Sequence, residues 1–508
     1  MKRLILFFCL LLFTPVYGET LEGEVINTKV VIYDQVIDTT KYPIFTYDDK
    51  VYIPLSSHNV HGLGLKLSFD DQLMITTTDR EYSEINDLNE HYHTDKKIHV
   101  TEVPFEVMVN GKNINHYYTV LMYRSTLYVP MIDSLVSGKL GWTYDFDEIL
   151  YINSQNKKLL NVDRVKFTPG EDITSVGLTF SLDRKIDDLS CIINNTSYSC
   201  EVTRVEVTEK GAYNYSYKTT LYELNPEQVY EIEISNEDYI SRTSFSSLCD
   251  GNTRIAFFGD IQGYKQSQYD QFHDNHELAS EFDIDLTYVA GDIVDTGDSW
   301  LQWRFFDEAI NNNLVVTSIG NHDVIGSSDI YVKSFNYPNN GLINERNFYF
   351  DLPYARVAVW DTESFSTYKD QGEWLCKVME TEKFKIVLMH RSVYPMSYDE
   401  SFIRNLHQYF DQAEIDLVLS GHDHIYNRTT MKHNTLDENG TTYIVGGSGS
   451  GSKFYSKNGD RYWEQVLYDE KKSVFVIVDI GETSIDIIAY NTENLTEPID
   501  VISIKESE

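Results

Sequence analysis

Gly259-Asp260-Ile261-Gln262-Gly263, Gly291-Asp292-Ile293-Val294-Asp295, Gly320-Asn321-His322-Asp323 and Gly421-His422-Asp423-His424 decide how this 508-residue chain is read, with His390 alone between the last two. An apolar run of strand length precedes each: Ile255–Phe258, Leu286–Ala290, Leu314–Ile319, Leu417–Ser420, and Lys385–Met389 before the lone histidine. Such runs read as buried strands, so the polar residues fall where a strand ends and a loop begins. In open α/β sheets that carboxyl edge is where ligands bind. Five strand ends therefore carry Asp, Asp, Asn, His, His and His to one rim. Those oxygen and imidazole donors suit zinc, manganese or iron and suit copper(I) poorly.

The ordered set Asp, Gly-Asp, Gly-Asn-His-Asp, His and Gly-His-x-His resembles the calcineurin-like metallophosphoesterases, and among them the purple acid phosphatases. The resemblance implies an α/β domain over 252–503, a β-sandwich flanked by helices, holding two divalent or trivalent metal ions (Zn, Mn or Fe). It implies Asp260, Asp292 and His424 on one metal, and Asp292, Asn321, His390 and His422 on the other, with Asp292 bridging. The expected activity is hydrolysis of a small phosphate monoester by a metal-activated water. His322 is expected to protonate the leaving group or stabilise charge, oriented by Asp323, Asp423 or another acid. A phosphodiesterase on the same metals, and an inactive surface-binding protein, are the alternatives.

Two positions depart from the family pattern. Gln262 stands where many members have a ligand His, and it is read as a weak metal ligand or a donor behind one. Asp295 stands where purple acid phosphatases have Tyr, which predicts a colourless protein and leaves Asp295 for substrate or for holding a ligand His. Arg391 and Tyr426, close behind His390 and His424, are candidates for the substrate lip, although an Arg there pairs equally well with a surface carboxylate.

Upstream, Met1–Gly18 reads as a signal peptide: Lys2 and Arg3, an apolar run Leu4–Phe13 too short to anchor in a bilayer, and a small-residue exit. That predicts a secreted or cell-surface protein with no transmembrane segment. The formal net charge is −37, more negative still without Lys2 and Arg3. It argues against nucleic acid or anionic lipid as partners. Export makes a disulfide between Cys191 and Cys200 plausible.

Residues 25–155 hold an internal repeat. Lys50-Val51-Tyr52-Ile53-Pro54-Leu55 aligns with Thr126-Leu127-Tyr128-Val129-Pro130-Met131, and Gly64…Phe69-Asp70 with Gly141…Phe146-Asp147. The pattern resembles the copper amine oxidase N-terminal-like domain, an α+β repeat module implying a spacer or cell-wall contact. Its histidines, His58, His61, His91, His93, His99 and His116, are scattered and read as solvated rather than as a copper set. Residues 164–248 read as an all-β sandwich. There Leu224-Asn225-Pro226-Glu227-Gln228-Val229-Tyr230 resembles the fibronectin type III loop whose Tyr bonds back to upstream backbone. The Gly/Ser run Gly446–Ser452 reads as either a close backbone approach or a flexible turn.

Overall fold

The computed structural model describes residues 20–505, apart from 27–28, 33–34, 38–41, 57–59, 61–62, 71, 78–95, 116–117, 125, 147–148, 153–157, 161, 195, 208–211, 237–238 and 311–313. The expected signal peptide and His58, His61, His91, His93 and His116 lie outside the described residues, while His99 is exposed on the strand Lys97–Glu102. The chain forms two compact units. One comprises 1–161 with 189–197 and 231–244; the other comprises 162–188, 198–230 and 245–508.

In the first unit the repeat becomes a closed six-stranded barrel, in the order Leu21–Val25, Phe45–Tyr47, Lys50–Leu55, Thr126–Pro130, Leu121–Tyr123, Lys97–Glu102. The two Tyr-x-Pro strands pair with each other, Tyr52 opposite Pro130 and Pro54 opposite Tyr128. Phe45, Tyr52, Ile98, Val100, Leu121 and Tyr128 form a buried cluster from these strands. The repeats also exchange strands: Leu73–Ile75 runs parallel to Val107–Val109, and Ile149–Ile152 parallel to Lys29–Ile32. Neither repeat closes its sheets alone. Among the described residues of this unit, one short helix, Asp133–Val136, accompanies the strands.

Strands of the 164–248 stretch appear as read. Val176–Leu182, Glu201–Val207 and Val229–Ser235 are all present. The Tyr230 hydroxyl accepts the Asn225 N–H at 2.6 Å, the back-bond the sequence suggested. The sheet Asp163–Pro169, Val176–Leu182, Ala212–Leu221, Glu201–Val207 belongs to the second unit. Side chains tie it there: buried Arg164 and Lys166 both pair with Asp307, and Lys218 pairs with Glu345 at 2.7 Å. Cys191, Cys200, Cys249 and Cys376 are all thiols.

The rest of the second unit is built on two sheets. The first runs Val315–Thr317, Leu286–Val289, Thr253–Phe258, Val474–Ile480, Ser484–Asn491, Asp500–Lys505, and its first three strands are parallel. The second holds the parallel strands Ala355–Trp360, Phe384–Arg391, Leu417–Gly421 and Thr441–Gly446, with antiparallel edges. The central strands Thr253–Phe258, Leu286–Val289 and Leu417–Gly421 are largely apolar and buried, as a sheet covered on both faces requires. Tyr288 of the first sheet donates its hydroxyl to the Met389 carbonyl of the second at 3.0 Å. Helices Gln266–Ser280 and Trp300–Ala309 accompany the first sheet in sequence, and Tyr368–Val378 and His407–Ala413 the second. Among the described residues no helix is long and apolar enough to cross a membrane.

Candidate metal centre

The five strand ends converge, but from two sheets rather than one. Asp260, Asp292 and the Asn321-His322-Asp323 segment follow strands of the first sheet. His390, His422 and His424 come from the second. His390 lies within its strand, at a register shift between Leu388 and Arg391 that breaks the regular pairing. The loops approach more closely than a Cβ permits: a side chain on Gly320 would meet Asp292 Oδ1 at 2.3 Å. Four non-glycine residues here, Gln262, Asp292, His422 and His424, have φ between 43° and 69°. Such left-handed backbone costs roughly 1–3 kcal/mol per residue and persists where surrounding bonds hold it. Those bonds are present: Gln262 N–H donates to the Asp292 carbonyl at 2.6 Å, and His422 N–H to Asp260 Oδ2 at 2.6 Å.

The Gly/Ser run is a close approach. A Cβ on Gly259 would lie 2.1 Å from the Gly447 carbonyl oxygen. Gly449 N–H donates to the Asp260 carbonyl, and the Ser450 and Ser452 hydroxyls to the Ile261 carbonyl. The run clamps the loop that presents Asp260.

Two buried groups of donors result, Asp260 with Asp292 and His424, and Asp292 with His390 and His422. Asp292 belongs to both. His390 donates Nδ1–H to the Ala290 carbonyl at 2.7 Å, so its bare Nε2 faces Asn321 Oδ1 at 3.1 Å and Asp292 Oδ1 at 3.3 Å. Likewise His424 donates Nδ1–H to the Lys453 carbonyl, leaving Nε2 3.5 Å from Asp260 Oδ1. That carboxylate oxygen is buried and has no hydrogen-bond partner. Lone pairs facing lone pairs, each histidine's tautomer held from behind, is an arrangement that a cation completes. The acid–base balance agrees. Burial and then Asp292 push the Asp260 carboxyl well above its ordinary range. Burial pushes His424 down to about 4, and burial followed by His390 pushes His422 well below its ordinary value. The pocket thus holds acceptors and little charge to balance them, and the donor set fits a metal pair.

The remaining expected site residues are placed as follows. His322 is partly exposed beside the cluster, its backbone N–H on Asp292 Oδ1 and its ring Nδ1 2.8 Å from the Asp295 carbonyl. The Asp295 carboxylate lies 3.5 Å from the same nitrogen. Asp323 accepts the backbone N–H groups of Ile293, Val294 and Gly320, and so ties two motif loops together. Asp423 similarly holds Met396 and Ser397. Gln262 turns its amide nitrogen to His322 Nε2 at 2.9 Å, so it contacts His322 rather than joining a donor group. Arg391 spends its guanidinium on Glu363 and Glu400, with one nitrogen 3.1 Å from His422 Nε2. Tyr426 is buried and donates to Asp500 at 2.8 Å, which removes it from the substrate lip. Sequence reading passed over Glu363, Glu400, Tyr398, whose ring edges onto His422, and Lys453. Only Lys453 had a local signal, its place directly after the Gly/Ser run.

Comparison with known proteins agrees with this geometry. The calcineurin-like phosphoesterase family model matches residues 253–426. A phosphoenolpyruvate phosphatase from Allium cepa is 23% identical over 199 residues, 32% of this chain and 41% of that protein, so the chain spans less than half of that relative's length. The solved purple acid phosphatase PPD1 from yellow lupin (Lupinus luteus) seeds superposes with a TM-score of 0.56 at 15% identity, over 72% of this chain and 79% of that one. GAP50, the anchor in the inner membrane complex of Plasmodium, gives 0.41 at 16% identity, over 51% and 90%. The lupin structure shares the fold, and the family match covers every motif except the closing strands. Residues 253–426 of this chain match the calcineurin-like phosphoesterase family model, and the lupin likeness shows the shared fold.

Proposed function

We propose that this protein hydrolyses phosphomonoesters on a pair of metal ions. The observation that carries the reading is Asp292, shared by two buried donor groups while its Oδ1 also receives the backbone N–H of His322. The ions, held by Asp260, Asp292, Asn321, His390, His422 and His424, would lower the pKa of a bound water and neutralise phosphate charge. The chain's own residues do the rest. Ala290 and Lys453 carbonyls fix the His390 and His424 rings with their lone pairs inward. Asp295 fixes His322 by Nδ1, so Nε2 is the atom that takes up a proton and delivers it to the leaving oxygen. Gln262 donates to that Nε2 in the resting site and keeps it aimed at the centre. The Met1–Gly18 segment supports the further proposal that the protein works after export, at the cell surface or beyond it.

The test is hydrolysis of a nitrophenyl phosphomonoester and its bis-ester by protein loaded separately with zinc, manganese and iron. Monoester turnover that falls at least 100-fold in His322→Ala, as expected for a lost general acid, supports the reading. Faster bis-ester turnover would make the protein a diesterase. No turnover with any metal would overturn it.

A further inference from the structure

Among the described residues, no carboxylate pairs with the cation Lys453, which stands next to the donor cluster. Lys453 leaves the clamping Gly/Ser run where its carbonyl holds the His424 ring. Its side chain reaches Gln262, with Nζ 3.4 Å from Oε1, and lies 5.1 Å from the Tyr455 ring centre. Gln262 in turn contacts His322 at 2.9 Å. The ammonium is therefore one amide away from the acid–base residue.

The chain carries 79 acidic residues against 42 basic ones. Several cations around the site are paired with acids. Arg391 is held by Glu363 and Glu400, Arg428 by Asp500, and Lys472 by Glu493. Among the described residues, Lys453 has a neutral amide and an aromatic face instead. A contact of 3.4 Å to an amide is long for a hydrogen bond, and a lysine offers three donors. The group is half-buried at the mouth, so solvent and ligand both reach it. The site it borders is lined by Asp260, Asp292 and Asp295, and a phosphate dianion approaching it meets an unfavourable field. A local unspent cation answers that field.

We propose that Lys453 is a substrate-binding residue whose ammonium grips a non-bridging oxygen of the phosphate group. This rests on the phosphoesterase reading of the site. Gln262, in the place of a ligand histidine, then has a second role: its amide spaces the ammonium from the imidazole and keeps both on the phosphate side.

Lys453→Met removes the charge and keeps the backbone carbonyl that holds His424. Metal-loaded wild type, Lys453→Met and Lys453→Arg are compared for metal content, KM and kcat on a nitrophenyl phosphomonoester, and affinity for inorganic phosphate by calorimetry. Expected are equal metal contents, about a tenfold rise in KM and in the phosphate Kd for Lys453→Met with kcat changed less, and recovery in Lys453→Arg. Equal KM and phosphate Kd in Lys453→Met and wild type would overturn the assignment while leaving the phosphoesterase reading intact. A wild type that binds phosphate through Lys453 yet hydrolyses no ester would do the reverse. A wild type that binds no phosphate overturns both. Loss of metal in Lys453→Met but not in Lys453→Arg also counts against it, because it makes the side chain a support for His424.

Discussion

Asp323→Ala separates a residue that builds the centre from one that performs its chemistry. The carboxylate accepts Ile293 N–H at 2.9 Å, Val294 N–H at 3.2 Å and Gly320 N–H at 2.9 Å, all fully buried. Leaving a buried donor without a partner costs roughly 1–3 kcal/mol, so three give a gross loss of roughly 3–9 kcal/mol. Part of this is offset. Burial, with Asp292 next, pushes the Asp323 carboxyl well above its ordinary range, so its removal also relieves a buried acid. A net loss of about 3 kcal/mol is expected, a large share of a domain stability of about 5–15 kcal/mol. Asp323→Asn retains one accepting oxygen and turns its NH2 toward a donor, for an expected loss of about 2 kcal/mol. Unfolding in urea, followed by tryptophan fluorescence, reads the right part of the chain, since Trp300, Trp303, Trp360, Trp374 and Trp463 all lie in the second unit. Because the two loops it joins carry Asp292 and Asn321, the Ala variant should also bind metal more weakly. Unchanged stability and metal content with a collapsed kcat would refute this reasoning and return Asp323 to the catalytic role its sequence position suggested.

Tyr230→Phe strips the acceptor from Asn225 N–H and should lower the unfolding free energy by about 1 kcal/mol; an unchanged denaturation midpoint would show that the back-bond does not support the fold. His276, wholly buried with Nε2 2.8 Å from the Thr287 hydroxyl, is pushed by burial from 6.5 down to about 4. The folded value lies below the unfolded one, so the unfolded chain takes up the proton first. Stability is therefore present above pH 6.5 and lost as pH falls toward 4, by roughly 3 kcal/mol over that window. His276→Gln should flatten this slope, and parallel stability curves for variant and wild type between those pH values would exclude the effect. With Asp295 beside His322 in place of a tyrosine, protein holding its native metals should show no charge-transfer band in the mid-visible, and a band there would mean that another phenolate reaches the metal.

Periodicity and short motifs located the five core strands within two or three residues, because a fully buried strand must be continuously apolar and a donor loop must begin where it ends. They also isolated the donors that form the two groups, since few residue types bind hard and borderline cations. They left the partners of Asp323, Tyr426 and Arg391 open for one reason. A polar side chain near a motif has many partners within reach, and sequence distance does not say which one it meets. Asp323 met three amides, Tyr426 met Asp500 from the far end of the chain, and Arg391 met two acids 28 and 9 residues away.

Composition, strand-length apolar runs and the order Asp, Asp, Asn-His, His, His-x-His determined by themselves that this chain builds a buried sheet whose ends carry oxygen and imidazole donors. They likewise revealed the duplication behind Tyr52 and Tyr128. Tertiary structure alone decided that the donors arrive from two sheets, that the repeats close one barrel together and exchange strands in two further sheets, and that Lys453 stands next to Gln262. The physical reason is the range of the forces. Propensity and burial pattern act over a few residues and are written locally. The pairing of Asp292 with His390, or of Lys453 with Gln262, depends on which loops glycines such as Gly259 and Gly320 allow to touch.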